Sequence, residues 1–201
     1  MSGPPIPRWL PNAISIVRVL LVPVWAWWAE IANRTFELDD NGQRYRIVAA
    51  LILIAIGASD VVDGWLARRY DLQSRFGANL DAIADKLAQV VLTTYLALRV
   101  GPAFAAIPYW FLGLLIARDA LLLLGCLAIW RRHGHVDTDH GWHGKAASLC
   151  LFAVLVASCF AAPEAVMNTM LLATAALVVA STAAYTRRGV NQFHGPRGLP
   201  A

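Results

Sequence analysis

Asp60-Val-Val-Asp63-Gly64-Trp-Leu-Ala67-Arg68, followed a few residues later by Gly77-Ala-Asn-Leu-Asp81-Ala-Ile-Ala-Asp85, sets four carboxylates into two otherwise apolar stretches. One charged side chain at the centre of a membrane-spanning helix costs about 2.5–3.5 kcal/mol on insertion scales, so four turned toward lipid would cost on the order of ten. They must line a polar cavity instead. On a helix, Asp60, Asp63, Gly64 and Ala67 fall at i, i+3, i+4 and i+7, and Gly77, Asp81 and Asp85 at i, i+4 and i+8, so each set occupies one face.

Two acidic faces meeting across the basic turn from Arg68 to Arg75 put like charges close together. Such carboxylates stay ionised only with something positive between them. With no His or Cys nearby, the donors are all oxygen, which favours a hard divalent cation, Mg²⁺ first and Mn²⁺ or Ca²⁺ next. Gly64 and Ala67 leave room on the same face for close helix packing or for a ligand. Arg68 just beyond reaches a phosphate bidentately. Carboxylates, metal, small residues and a terminal arginine together are equipment for a diphosphate.

The rest of the chain says where this cavity sits. In 201 residues, 58% are hydrophobic and only 15% charged, and the mean hydropathy is +0.53. That is more apolar surface than a soluble domain of this length buries, so the expected fold is all-α, a single polytopic transmembrane bundle, residues 1–201, of about six helices. The formal charge of +4 does not point to nucleic acid, because the Lys and Arg residues sit at the ends of apolar runs, where lipid headgroups lie. Cys126, Cys150 and Cys159 are odd in number and lie inside apolar stretches, so buried thiols are expected rather than a disulfide framework.

Apolar runs place spans at about residues 14–32, 47–67, 78–98, 107–130, 146–162 and 165–185, with a polar loop over 33–46. Arg18 inside the first run and the later spans argue against a cleaved signal peptide. Trp27, Trp28, Trp110 and Trp130 fall near span ends, as interfacial aromatics do. With both termini in the cytoplasm, Arg8, Arg68, Arg69, Arg75, Arg131, Arg132, Lys145, Arg187, Arg188 and Arg197 lie on the inner side and only Arg34, Arg44, Arg46 and Arg99 outside. The positive-inside rule selects that orientation and puts the aspartates near the cytoplasmic face.

The acidic stretch resembles the signature of the CDP-alcohol phosphatidyltransferase family. Each fixed position, Asp60, Asp63, Gly64, Ala67, Arg68, Gly77, Asp81 and Asp85, is matched with the expected spacing, and Leu10-Pro11-Asn12-Ala13-Ile14-Ser15-Ile16-Val17-Arg18 is similar to the family's N-terminal segment. The resemblance implies a six-helix, often homodimeric membrane enzyme of bacterial inner-membrane type, with its active site facing the cytoplasm. It implies metal ligation by Asp60, Asp63, Asp81 and Asp85, with Asp85 also the base toward the acceptor hydroxyl. Gly64, Ala67, Arg68 and Gly77, with Asp60, are the implied CDP contacts. The stretch Asp85-Lys86-Leu87, and Ala117-Arg118-Asp119 and Gly144-Lys145-Ala146, resemble the glycerol-directed branch, in which Arg118 and Lys145 bind the acceptor phosphate. Glycerol 3-phosphate is then the expected acceptor, with phosphatidylglycerol the alternative, since Asp119 is more like the cardiolipin synthases.

Other readings compete. A small membrane cation transporter also keeps aspartates in a bundle, but paired halves are missing and Gly64, Ala67 and Arg68 have no task in it. Arg118 and Asp119 also read as a self-neutralising pair inside the bundle. His133, His135, His140 and His143, with Asp137 and Asp139, fit no zinc-ligand spacing and read as a solvated loop.

Overall fold

The computed structural model describes residues 10–38, 42–70, 75–99, 101–133 and 142–194. Among them stand six α-helices and no strand: α1 (Leu10–Leu38), α2 (Gln43–Arg69), α3 (Arg75–Leu98), α4 (Tyr109–His133), α5 (Trp142–Cys159) and α6 (Glu164–His194). The six expected helices are all present. The loop expected over 33–46 is much shorter than the polar composition implied, because α1 runs on to Leu38 and α2 begins at Gln43. Its charged residues find partners along the helix ends: Arg34 Nε donates to Glu30 Oε1 one turn back at 2.8 Å, and the Arg46 guanidinium lies 5.4 Å from the centre of the Phe36 ring.

Four helices, α1, α2, α4 and α6, are long and apolar enough to cross a membrane. The span expected over 78–98 falls in α3, which carries Asp81, Asp85 and Lys86, and α5 is short, so neither stands out by composition alone. Trp110 and Trp130 are both exposed near opposite ends of α4. Their separation along the helix is about 30 Å, close to the thickness of the hydrocarbon layer.

The chain forms two units. In the first, α1, α2, α3, the segment up to Ile107 and residues Leu155–Pro163 come together. α1 packs on both α2 and α3, and the small residues Ala29, Ala32, Ala49, Ala84 and Ala88, all buried, let the backbones approach closely. Trp25 is fully buried and meets the Tyr95 ring edge-on at 5.2 Å. Buried Asn33 receives the Ala103 amide on its Oδ1 at 3.2 Å. A Cβ at Gly101 would collide with that Asn33 side chain, so a glycine is needed for this approach. Ser158 closes the other side, its hydroxyl donating to the Ala105 carbonyl at 2.5 Å.

Glu30 is the hub of a polar cluster in this unit. Arg99 Nε and Tyr95 Oη both donate to Glu30 Oε2, at 2.9 and 3.2 Å. The cluster ties α1 to the end of α3, about 18 Å along α1 from Arg18.

In the second unit, α4 packs on α6, and the N-terminal part of α5 belongs with them. Phe111, Leu115, Ala147, Leu151, Leu171 and Val178 are among its buried apolar residues. A Cβ at Gly144 would come within 2.7 Å of the Tyr185 hydroxyl, so this glycine lets α5 start hard against α6. The thiols of Cys126, Cys150 and Cys159 are unpaired.

Candidate active site

Three helices of the first unit converge on a single guanidinium. Arg18 lies in the apolar α1 and is 1% exposed. An arginine there demands an anionic partner, and among the described residues it finds two: Nη1 donates to Asp85 Oδ1 on α3 at 2.6 Å and lies 3.2 Å from Asp60 Oδ1 on α2. Nε donates to Ser59 Oγ at 3.3 Å. The Ser59 hydroxyl spends its own proton on the Ile56 carbonyl at 2.7 Å, which leaves its oxygen to accept from Arg18.

Burial across this cluster is one-sided. The guanidinium is enclosed, while the side chains of Asp60 and Asp85 are 44% and 50% exposed. The carboxylates therefore rest on a buried positive floor and open on the other side. Each arginine–carboxylate attraction, screened by solvent on the open side, offsets part of the repulsion between the two like charges.

Asp60 and Asp85 are thus brought together from separate helices, as the paired acidic faces required. Gly64 and Gly77 are half-buried on α2 and α3. Asp63, Ala67 and Arg68 fall within α2 and Asp81 within α3, but their side chains lie outside the described residues, as does that of Lys145 on α5. The histidine-rich segment 134–141 lies outside them too. Among the described residues no group of three His, Cys, Asp or Glu side chains stands ready for a metal. The two described carboxylates offer hard oxygen donors with open surface, and that donor chemistry fits a divalent cation of the Mg²⁺ type.

Arg118 belongs to the second unit. Its Nη1 is 3.9 Å from Asp119 Oδ1, at the limit of an ion pair and too far for a hydrogen bond. Its Nε is buried with no partner among the described residues. The self-neutralising pair is therefore loose. Arg118 lines a cavity of about 650 Å³ between α4 and α6, shared with Arg187, Thr182, Leu114, Leu121 and Val179. Two arginines and two threonines on an otherwise apolar wall suit an anion that carries hydrocarbon.

Arg18 is the functional candidate that the reading of motifs passed over. The signal was present in the sequence, because a lone arginine in an apolar run implies an acidic partner elsewhere. Which acid it finds depends on tertiary packing.

Comparison with known proteins agrees with the acidic motif. A family model described as CDP-alcohol phosphatidyltransferase matches residues 8–182. A Streptomyces coelicolor protein named cardiolipin synthase (CMP-forming) is 35% identical over 142 residues, covering 71% of this chain and 60% of the relative. A Pseudomonas fluorescens protein named CDP-diacylglycerol--glycerol-3-phosphate 3-phosphatidyltransferase is 29% identical over 180 residues, covering 85% of this chain and 82% of the relative. A Rickettsia bellii protein of the same name is 37% identical over 78 residues, 39% of this chain and 38% of the relative. The chain spans about three-fifths of the length of the Streptomyces protein.

Proposed function

Because the chain belongs to the CDP-alcohol phosphatidyltransferase family, we propose that it is an integral membrane enzyme transferring a phosphatidyl group from CDP-diacylglycerol to a glycerol-type acceptor, with release of CMP. The observation that carries this reading is the convergence of Asp60 and Asp85, from two helices, on one open-faced acidic site.

In this reading Asp60, Asp63, Asp81 and Asp85 hold divalent metal, Mg²⁺ in the first place. When bound, the metal supplies positive charge to the diphosphate and to the phosphate that departs with CMP. Gly64, Ala67, Arg68 and Gly77, with Asp60, line the nucleotide. Asp85 accepts the proton of the acceptor hydroxyl, whose oxygen forms the new bond to the β-phosphorus as the bond between that phosphorus and the CMP oxygen breaks. Protein-derived nucleophiles take no part. The side facing the cytoplasm carries the site, both termini lie there, and two copies of the chain assemble in a bacterial-type inner membrane.

Arg118 and Lys145 bind the acceptor phosphate. Glycerol 3-phosphate is the acceptor expected from the sequence. Phosphatidylglycerol is a second reading favoured by a specific observation: the Arg118 cavity is mostly apolar, which suits a lipid better than a small polar ester. The Streptomyces relative's name is in keeping with it. Purified chain with CDP-diacylglycerol and Mg²⁺, offered glycerol 3-phosphate, phosphatidylglycerol, inositol phosphate and serine in turn, tests the assignment. A lipid product from one of the first two supports it, and turnover of serine or inositol phosphate alone refutes it.

A further inference from the structure

We infer that Arg18 is a positioning residue that serves as the resident counter-ion of the acidic site, holding Asp60 and Asp85 in place before a divalent cation arrives and then sharing them with it. This rests on the reading of those two aspartates as metal ligands.

Three observations carry the inference. The first is reach: from α1, Arg18 contacts Ser59 and Asp85, which stand 41 and 67 positions away in the sequence, and so joins all three helices of the site. The second is geometry. One nitrogen, Nη1, lies within ion-pair distance of both carboxylates, and Nε is anchored separately on the Ser59 hydroxyl, so the fork of the guanidinium fixes its own orientation. The third is the difference in burial, with the cation enclosed and the carboxylates half open. A second cation can approach Asp60 and Asp85 from the open side without displacing Arg18 from beneath them.

The choice of arginine follows from the task. Guanidinium keeps its charge under all physiological conditions, whereas a buried ammonium readily loses its proton. With that charge removed, Asp60 and Asp85 lose the cation they share from α1, and an arriving metal supplies positive charge in its place. A residue that merely tied three helices together would matter equally with and without metal. A resident counter-ion matters most when metal is absent.

The test uses full-length chain in detergent, stripped with chelator, with its melting temperature read from tryptophan fluorescence without and with saturating Mg²⁺. Metal-free Arg18→Gln is expected to melt about 10 °C below wild type. Mg²⁺ should recover most of that deficit, so the Mg²⁺-induced rise is larger in the variant than in wild type, and Arg18→Lys should fall between them. A rise in Arg18→Gln no larger than in wild type, or an unchanged metal-free melting temperature, overturns the inference. If Arg18→Gln does not fold, Arg18→Lys decides: a larger Mg²⁺-induced rise than wild type supports the role, and an equal one removes it. Mg²⁺-dependent CMP release with equal rises overturns this inference alone. A wild-type chain with neither a Mg²⁺-induced rise nor Mg²⁺-dependent CMP release overturns the functional reading as well.

Discussion

Arg18 Nη1 donates to Asp85 Oδ1 at 2.6 Å across 67 positions of sequence. That bond joins the first apolar helix to the end of the acidic motif. It means that the environment of Asp85 is set by α1 as much as by α3.

Asp85→Asn keeps the size and a hydrogen-bonding oxygen toward Arg18 while removing the proton acceptor. Transfer is expected to fall by at least about 10²-fold, the usual contribution of a general base, with an unchanged elution profile and helical circular dichroism. Full activity in this variant contradicts the assignment of Asp85 as base.

Arg118→Ala and Lys145→Ala are expected to raise the acceptor KM about tenfold, the effect of losing roughly 1.4 kcal/mol from a charge-assisted contact. The KM for CDP-diacylglycerol should change much less. Steady-state kinetics with each substrate varied in turn checks this, and equal effects on both substrates count against an acceptor pocket.

Glu30 gathers Arg34, Tyr95 and Arg99 far along α1 from Arg18. Glu30→Gln should destabilise the protein by about 1–2 kcal/mol, because hydrogen bonds to a charged group are weakened and not all removed. Its kcat should stay within about twofold of wild type, since no reacting group is touched. A melting curve and an initial-rate assay on the same preparation separate the two effects. A large drop in kcat with normal melting would show that the cluster acts on catalysis.

Much of the fold was legible because lipid makes such simple demands on sequence. Apolar runs separated by charged turns located the six helices, and the periodicity of the acidic motif anticipated that Asp60 and Asp85 come together from two helices. The ends of α1 and α2 were misjudged for a physical reason: residues 33–46 look like loop by polarity, yet the Glu30–Arg34 pair and the Arg46–Phe36 contact let helix persist beyond the apolar run. Arg18 was visible as an anomaly, but its partners were not, because they come from helices distant in sequence. The cavity beside Arg118 was equally hidden, since Arg187 joins it only through the packing of α4 on α6.

The most direct test of the central claim is release of CMP from CDP-diacylglycerol by the purified chain, measured first after chelation and then as Mg²⁺ is restored, with glycerol 3-phosphate or phosphatidylglycerol present. The account predicts no release in chelator, recovery on adding Mg²⁺, and a matching quantity of lipid product with one of these acceptors. Release that is indifferent to chelator, or no release with either acceptor at any Mg²⁺ concentration, would contradict it.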